Sequence, residues 1–577
     1  MDPSPGSVSI ALIMTQPSIA LIGAEHEENL SLRYLAASAE QAGFATALHA
    51  LNTPRDRTTA IAAILAADPL LVGISVPFQH RAAELLSVAT DLRGAGYRGH
   101  ITAGGHFATF EYTSILRDLP AVDSIVRHEG EHTLVALCQR IAGRRSVDGL
   151  PGLVTRGEGG ARIGPKRPLP KLDALPFPDR RGAPHDVLGV LCSPILGSRG
   201  CYADCSFCCI YAYADNAQGP RYRMRSPEDV VREMEEEYRR RGVRLFVFHD
   251  DNFFLPYAPK NLERYRRMGE LIANQGLTDI GLVIKCRPND VSQELFALLK
   301  SMGMIRAYIG IETNSDEGVV SLNRRITSED NRRALQLFRA LDVYCSFNVL
   351  IFDPEATLDG VEANLDFMAE FADVPFNFCR AEVYAGTPLK ATLEAEERLV
   401  GDYWAWGYEL RRPEVEVLFR VATTAFYGRN FKPDGVANLN MGLRFDNEVL
   451  RHFYRAAWDP EWQAELTAFS RCVGEDTVER MRRAVAFIGA GHWQDRSAVK
   501  SFALDLAREV AAADLRLLKE AKRIRREMEA RILSVASPER LRPAGPSAPP
   551  WAAETARLGT SVGLELSTEI LPAPRAL

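Results

Sequence analysis

The sequence lacks the features that would place it in or beyond a membrane. No apolar run approaches the roughly 18 uninterrupted residues that a membrane-spanning helix needs. The first residues, MDPSPGSVSIALIM, have neither the basic start nor the cleavage site of a secretion signal. An excess of one charge is also missing, since 69 Lys and Arg stand against 75 Asp and Glu, a formal net charge of -6. We therefore expect a cytoplasmic protein with neither a membrane nor a nucleic acid as its partner.

Cysteine is scarce, with ten in 577 residues, yet four of the ten fall within the nine residues CYADCSFCC. In a reducing compartment, clustered cysteines are more often metal ligands than disulfides. A structural zinc ion takes four ligands, usually as two separated pairs, whereas Cys201, Cys205 and Cys208 form one tight trio. The trio instead favours a [4Fe–4S] cluster with one iron left open. Cys209 directly follows Cys208, which makes it an awkward fourth ligand, and we predict that it is not one.

The N-terminal part alternates short apolar runs with amphipathic segments, which indicates a doubly wound, Rossmann-like α/β domain over residues 1–145. The predicted strands are VSIALIM, ATALHAL, LLVGISV, GHITAGG and VDSIVR. The first strand is thus expected at residues 8–14, with TQPSIALIGAEHEENL in the loop after it. Ligands bind such sheets at the carboxyl ends of the strands. Gly104 and Gly105 either let a flat ligand approach the backbone there or simply form a turn.

A linker rich in Pro, Gly and Arg follows over residues 146–188 and reads as a small hairpin and then an extended segment. Residues 189–390 resume the alternation and predict a partial, TIM-like (β/α)6 barrel with its chemistry at the carboxyl ends of the strands. The predicted strands are VLCSPIL, RLFVFHD, IGLVIKC, IRAYIGIE, CSFNVLIF and FNFCRAEVY. One helix has a clear start, in which Ser226 caps, Pro227 takes the first position and Asp229 completes a capping box.

Strand signals fade in the last third of the chain. Residues 391–536 are expected to form a mainly helical domain, and residues 537–577 a flexible tail. One long helical pattern places apolar residues on a single face at spacings of three and four, namely Leu517, Ala521, Ile524, Met528 and Ile532. The fold class predicted for the whole chain is therefore α/β with a helical C-terminal region.

Around the cysteine trio the sequence resembles the radical S-adenosylmethionine (SAM) superfamily. The CxxxCxxC loop follows the first barrel strand and has an aromatic residue, Phe207, before its third cysteine. Later segments that resemble the superfamily are VFHDDNFF, KCRPND, IGIETNS, FDPEAT and YAGTPL. The resemblance implies that Cys201, Cys205 and Cys208 hold a [4Fe–4S] cluster that supports SAM cleavage. It also implies a set of SAM contacts, which are Phe207, Asp250, Asp251, Asn252, Arg287 and Glu312.

The resemblance extends to the N-terminal domain and points to the cobalamin (B12)-binding radical SAM enzymes. The segments that carry it are NLSLRYLAA and HEGE, where His128 replaces the usual glycine. The implied cobalamin contacts are Asn29, Leu30, Ser75, Val76, Gly104, Gly105, Glu129, Gly130 and Glu131. Many cobalamin proteins ligate cobalt through a histidine in D-x-H-x-x-G, and this motif does not occur. The resemblance then implies cobalamin with no protein histidine on cobalt.

The family's chemistry implies a reaction. A 5'-deoxyadenosyl radical would abstract a hydrogen from the substrate, and methylcobalamin would deliver a methyl group to an unactivated carbon. The implied partners are a natural-product or peptide substrate and an external electron donor of flavodoxin or ferredoxin type. Non-methylating radical chemistry (ring contraction, cyclisation or oxidation) and a non-catalytic sensor stay open as alternatives, as does the oligomeric state.

Some side chains near the predicted barrel mouth have no assigned role. Trp404, Trp406 and Tyr408 either stack on a substrate or pack in the core, and we favour the core. Tyr308, Tyr344 and Glu382 lie on or near strand ends, where they would be able to face the cavity.

Overall fold

The computed structural model describes residues 17–256 and 258–535, which divide into two compact units. The first unit comprises residues 17–25, 29–180 and 216–219, and the second comprises the remainder. The strand predicted at residues 8–14 and the tail predicted at 537–577 lie outside the described residues.

The first unit is a sheet flanked by helices. Its strands are β1 (Ser18–Gly23), β2 (Ala45–Ala50), β3 (Leu71–Ser75), β4 (His100–Gly104), β5 (Ser124–Val126), β6 (Leu153–Gly157) and β7 (Gly160–Ile163). Its helices are α1 (Leu30–Gln41), α2 (Pro54–Ala67), α3 (Ala82–Gly94), α4 (His106–Phe110), α5 (Tyr112–Asp118) and α6 (Glu131–Ala142).

The strand order in this sheet is β2-β1-β3-β4-β5-β6-β7, and the strands from β1 to β5 are parallel. That order confirms the doubly wound prediction, since β1 and β3 form the switch point at which such sheets bind ligands. The antiparallel pair β6 and β7 is the hairpin of the predicted linker, and it joins the sheet beside β5. This unit consequently continues to Arg180.

One strand prediction for this unit is wrong. Ser18–Gly23 was expected in a loop, but it forms β1, between β2 and β3. Ile19, Leu21 and Ile22 are at most 1% exposed there. Two apolar runs follow each other closely at this point, and the local pattern does not say which one takes the central position.

The second unit also contains a seven-stranded sheet, and it holds most of the described helices. Its strands are β8 (His185–Val187), β9 (Val190–Ile195), β10 (Ser198–Gly200), β11 (Tyr222–Met224), β12 (Leu245–Phe248), β13 (Gly281–Cys286), β14 (Met304–Glu312), β15 (Cys345–Phe352), β16 (Phe376–Arg380), β17 (Leu399–Val400) and β18 (Gly407–Tyr408). Its helices are α7 (Cys209–Asn216, whose last residue clusters with the first unit), α8 (Pro227–Arg241), α9 (Ala258–Asn274), α10 (Gln293–Ser301), α11 (Asp316–Ser321), α12 (Ser328–Ala340), α13 (Leu358–Glu370), α14 (Pro388–Ala395), α15 (Pro413–Phe426), α16 (Val436–Phe453), α17 (Pro460–Gly489) and α18 (Arg496–Val535).

The main sheet of this unit has the order β16-β15-β14-β13-β12-β9-β8. The strands from β9 to β16 in this list are parallel, and β8 adds an antiparallel edge. The parallel part confirms the predicted partial (β/α)6 barrel. Because its strands run the same way, the segments after β9, β12, β13, β14, β15 and β16 all leave from one end of the sheet.

The start of α8 agrees only in part with the predicted capping box. Ser226 accepts a 3.2 Å hydrogen bond from the Asp229 backbone N–H, and Pro227 is the first helical residue. The Asp229 carboxylate instead pairs with the buried guanidinium of Arg225 at 2.7 Å. An arginine just before the helix thus replaces the backbone as the partner of this carboxylate.

The last third of the described chain is helical, as predicted. The predicted apolar face of α18 is present: Ala521, Ile524, Met528 and Ile532 are buried in a cluster with residues of α16 and α17, and Leu517 packs beside them. Among residues 17–256 and 258–535, no helix combines the length and the apolar character needed to cross a membrane.

Candidate functional site

Three of the clustered cysteines lie in one loop of the second unit. Cys201, Cys205 and Cys208 fall between β10 and α7, and Cys209 is the first residue of α7. Gly200, directly before the trio, has a φ of 82°, and a side chain there would overlap the carbonyl oxygen of Arg221. Only glycine therefore lets the chain turn from β10 into this loop.

Hydrogen bonds fasten the cysteine loop to the segment that ends α11. Ser206 donates from its backbone N–H to the Leu322 carbonyl at 3.0 Å and from its hydroxyl to the Ser321 carbonyl at 2.8 Å. The Asn323 side chain donates to the Asp204 carbonyl at 2.8 Å. Backbone and side chains together fix the path of the loop without using the cysteine sulfurs.

Two arginines point at one cysteine of the trio. Nη1 of Arg287 and Nη1 of Arg324 each lie 3.2 Å from Sγ of Cys205, and all three residues are buried. Burial by itself disfavours a thiolate, and it raises the pKa of the Cys201 thiol to about 11. The Cys205 sulfur, in contrast, accepts from two cations and is therefore suited to carry the negative charge of an iron-bound thiolate. The donor set thus fits a [4Fe–4S] cluster. Among the described residues, no three His, Cys, Asp or Glu side chains converge to hold a single metal ion.

The polar residues that follow β12 have two different roles. Both carboxylate oxygens of the buried Asp250 are engaged, one with the Gly197 N–H at 2.8 Å and the other with the Ser198 hydroxyl at 2.6 Å. Asp251 accepts from the Gly200 N–H at 3.1 Å and keeps much of its side chain accessible. Asn252 is buried, and no described residue hydrogen-bonds its Oδ1. This open acceptor and Asp251 fit the ammonium group of SAM.

Asp250 and Asp251 both stand in surroundings that oppose their charge. Desolvation raises the pKa of each carboxyl to about 6. For Asp251 this coexists with an accessible side chain, as expected for a carboxylate that opens into a recess rather than into bulk water. A bound cation would offset that desolvation at Asp251.

Glu312 closes β14 in a strained backbone conformation. Its φ is 65°, in the left-handed region that non-glycine residues rarely adopt. Burial raises the pKa of its carboxyl, and Arg324 and Arg287 partly oppose that rise. Gly310 leaves room for it, because a Cβ at position 310 would lie 3.1 Å from Oε1 of Glu312.

The predicted SAM residues therefore gather at one end of the barrel but differ in what they contact. Arg287 reaches the Cys205 sulfur, Asp250 holds the β9–β10 turn, and Phe207 packs against the main apolar core. Their roles toward SAM stay predictions. Arg324 was not predicted at all, since it lies in none of the segments that resemble the family and meets Cys205 across 119 residues of sequence.

The predicted cobalamin residues gather at the carboxyl edge of the first unit's sheet. Ser75 ends β3, Gly104 ends β4, and Glu129 and Gly130 follow β5. A Cβ on Gly105, whose φ is 104°, would lie 2.6 Å from the Val76 carbonyl oxygen. The turn alone thus accounts for this glycine, while the shared edge fits a ligand of doubly wound sheets.

Residues at the helix starts of this edge have structural contacts. The Asn29 side chain caps α1 by accepting from the Leu32 N–H at 3.2 Å, and it donates to the Ala24 carbonyl at 2.8 Å. Leu30 and Glu131 are buried first residues of α1 and α6. Their part in holding cobalamin stays a prediction.

The backbone conformation of His128 explains why glycine is usual at this position in the family that the chain resembles. Its φ is 61°, a left-handed conformation that glycine adopts without strain. Its backbone N–H donates to the Thr109 hydroxyl at 2.9 Å, and desolvation lowers the pKa of its ring to about 4. A neutral, buried histidine therefore takes this turn.

Four of the side chains with unassigned roles lie in different places. Tyr308 shares one face of β14 with Glu312, whereas the opposite face is apolar and buried. Tyr344 precedes β15 and donates to the Met441 carbonyl at 2.7 Å, so it stands at the amino end of the barrel and not at its mouth. Tyr408 is buried in the core, and Trp406 packs partly against it.

Two family models match the chain. The Radical SAM superfamily matches residues 195–368, which contain the cysteine loop and the strands from β12 to β15. The B12 binding domain matches residues 22–138, which contain the edge described above.

Curated relatives and a solved structure agree with these matches. An uncharacterized methyltransferase of Pyrococcus horikoshii is 28% identical over 58% of this chain and 72% of its own length. The hopanoid C-3 methylase of Methylococcus capsulatus is 28% identical over 58% of this chain and 62% of its own length, less than two thirds of that protein. The cobalamin-dependent SAM radical enzyme OxsB, solved with aqua-cobalamin and SAM, shares the fold at a TM-score of 0.65 and 16% identity, covering 94% of this chain and 84% of that chain.

The cysteine loop at the mouth of a partial barrel, the doubly wound sheet and both family models lead to one assignment. The chain belongs to the cobalamin-binding radical SAM enzymes, whose cofactors are a [4Fe–4S] cluster, SAM and cobalamin.

Proposed function

We propose that this radical SAM enzyme is a cobalamin-dependent methyltransferase that places a methyl group on an unactivated carbon of a natural-product or peptide substrate. The observation that carries the proposal is the cysteine loop with two arginines on one sulfur, in a chain that also matches the B12 binding domain. Two relatives described as a methyltransferase and a methylase support the choice of reaction.

In this proposal the second unit holds the cluster and SAM. Cys201, Cys205 and Cys208 supply the three thiolates, and one iron stays open for SAM. Asp251 and the Asn252 amide oxygen accept from the SAM ammonium group. Glu312 adds a further carboxylate at the end of β14, two strands away from β12 in the sheet, where its backbone strain fixes the direction of the side chain.

In the first unit, the carboxyl edge of the sheet holds cobalamin. The backbone at the ends of β3, β4 and β5 lines this edge, through Ser75, Val76, Gly104, Glu129 and Gly130. When bound, the three cofactors supply an electron, a carbon radical and a transferable methyl group, and the protein supplies position and electrostatics.

The substrate side of the barrel carries groups that burial keeps neutral. Burial, and then the carboxylates of Glu312 and Glu382, raise the pKa of the Cys379 thiol to about 12. Tyr384 donates to the Glu382 carboxylate, and desolvation raises the pKa of the Tyr384 hydroxyl. In this proposal these residues and Tyr308, midway along β14, form a polar lining that can orient a substrate and keep its protons in place.

The test uses the full chain, reconstituted anaerobically with iron, sulfide and cobalamin and given SAM and a reductant. A methyltransferase forms up to one S-adenosylhomocysteine per bound cobalamin before any organic substrate is added. 5'-Deoxyadenosine without S-adenosylhomocysteine would instead indicate non-methylating radical chemistry, and a protein inert to SAM would indicate a sensor. A Cys205→Ala variant, which removes one proposed cluster ligand, is the matched control for 5'-deoxyadenosine.

Location and electron supply belong to the same proposal. We assign the enzyme to the cytoplasm, where a flavodoxin or ferredoxin supplies the electron. Replacing the chemical reductant by reduced flavodoxin should sustain formation of 5'-deoxyadenosine, and no turnover with either carrier would contradict this donor class.

A further inference from the structure

The two arginines on Cys205 come from different parts of the barrel. Arg287 directly follows β13, and Arg324 lies in the segment after α11. They also contact each other, because Nη2 of Arg287 donates to the Arg324 carbonyl oxygen at 2.5 Å. Two separate loops therefore bring two guanidinium groups to one sulfur.

No carboxylate in the described part of the chain forms an ion pair with either guanidinium, although the side chains of Arg287 and Arg324 are only 8% and 3% exposed. Two carboxyls are influenced by these charges without pairing with them: the pKa of Glu312 responds to both arginines, and that of Asp290 responds to Arg287. Buried arginines are normally paired, so these two are expected to have a negative partner. The Cys205 sulfur is the acceptor they share.

From this geometry we propose that Arg287 and Arg324 set the reduction potential of the cluster by stabilising its reduced form through Cys205. Reduction adds one electron and no proton to the cluster, so its negative charge grows. Nearby positive charges and hydrogen bonds to the sulfurs favour that more negative form. The inference rests on the cysteine ligation proposed above but not on methylation. Both residues are positioning residues, since they act on the cluster through a ligand.

Potentiometry of the loaded protein tests this proposal without substrate or SAM. The full chain is reconstituted, and its one-electron reduction is followed by electron paramagnetic resonance at a series of fixed potentials. The variants are Arg287→Gln, Arg324→Gln and the corresponding Lys substitutions. Arg325→Gln is the matched control, because Arg325 is the adjacent residue, pairs with Asp204 at 2.5 Å and has a side chain 70% exposed.

We expect each Gln variant to bind as much iron as the unmodified chain and to have a lower midpoint potential. At a fixed potential the ratio of reduced to oxidised cluster should fall about tenfold, which corresponds to about 59 mV for one electron. The Lys variants keep the charge, so their midpoint potentials should fall less. Arg325→Gln should not change the midpoint potential. Unchanged midpoints in both Gln variants, or an equal shift in Arg325→Gln, would overturn the proposal.

If a Gln variant fails to take up iron, the midpoint potential of the Lys variant at the same position tests the proposal instead. A Lys variant with full iron and a midpoint near that of the unmodified chain supports a charge effect, whereas one that falls about tenfold or more in reduced fraction contradicts it. Absence of S-adenosylhomocysteine in the activity test would leave these midpoints unaffected, so the two proposals fail separately.

Discussion

The Ser198 hydroxyl donates a 2.6 Å hydrogen bond to the buried carboxylate of Asp250, whose other oxygen accepts from the Gly197 N–H. Asp250 thereby ties the end of β12 to the turn that leads into the cysteine loop. The next residue, Asp251, keeps an accessible carboxylate. Two adjacent aspartates thus have separable functions.

The first prediction separates these two aspartates. Asp250→Ala leaves the buried Gly197 N–H without its acceptor, at a cost of about 1 to 3 kcal/mol. It also removes the shorter of the two hydrogen bonds that the Ser198 hydroxyl makes, the other being to the Asn252 carbonyl at 3.1 Å. We expect a lower melting temperature of the iron-free chain and less iron after reconstitution. Asp251→Asn should melt like the unmodified chain but bind SAM roughly tenfold more weakly or worse, because a charged acceptor is lost. Anaerobic calorimetry gives the affinity, and equal SAM binding by Asp251→Asn would contradict the assignment.

The second prediction concerns the fourth clustered cysteine. Cys209 opens α7 beside the ligand loop, and burial raises the pKa of its thiol to about 12. We expect Cys209→Ala to leave iron and sulfide per chain unchanged, while Cys208→Ala loses the cluster. Colorimetric iron analysis with the visible absorption spectrum is the measurement. Loss of iron in Cys209→Ala would make Cys209 a ligand.

The third prediction uses the space beside Glu312. In Gly310→Ala the new methyl group would stand 3.1 Å from Oε1 of Glu312, so this carboxylate must shift by a few tenths of an ångström. We expect weaker SAM binding with unchanged iron content. Gly442→Ala is the control, because no heavy atom lies within 4 Å of its added Cβ in α16. It should stabilise the chain by about 0.5 to 1 kcal/mol and leave SAM binding alone. A Gly310→Ala variant with normal SAM affinity would show that Glu312 does not contact SAM.

The fourth prediction concerns pH and a carboxyl far from the cofactors. Burial raises the pKa of Glu448, on α16, to about 7, and Arg451 and Arg444 partly oppose the rise. The folded state therefore holds this proton more tightly than the unfolded chain, so stability is greatest below the unfolded pKa and is lost as pH rises through about 7. Between pH 4.5 and 8, we expect the free energy of unfolding to fall by roughly 2 to 3 kcal/mol less in Glu448→Gln than in the unmodified chain.

Urea unfolding of the iron-free chain at several pH values measures this difference. Glu475→Gln on the exposed side of α17 is the control and should leave the pH dependence unchanged. The same slope in Glu448→Gln and in the unmodified chain would contradict the raised pKa.

The barrel strands could be predicted from sequence because each is an apolar run bounded by polar residues. CSFNVLIF coincides with β15, and the cysteine trio follows β9 and the short β10. The contact of Arg324 with Cys205 could not be predicted from sequence, because it joins loops 119 residues apart and depends on the curvature of the sheet. The sequence also does not predict which of the Asp250 and Asp251 side chains stays accessible, since this depends on where β12 ends. The position of β1 was missed because two similar runs compete for it.

The fastening of the cysteine loop to Ser321, Leu322 and Asn323 has a consequence for damage and repair. Ser206 donates two of these hydrogen bonds, the Asn323 side chain donates the third to the Asp204 carbonyl, and none of them involves the sulfurs. We therefore expect a chain whose cluster has been destroyed by oxygen to keep its loop in a receptive shape. Recovery would then be limited by the delivery of iron and sulfide and would not require refolding or new synthesis of the protein.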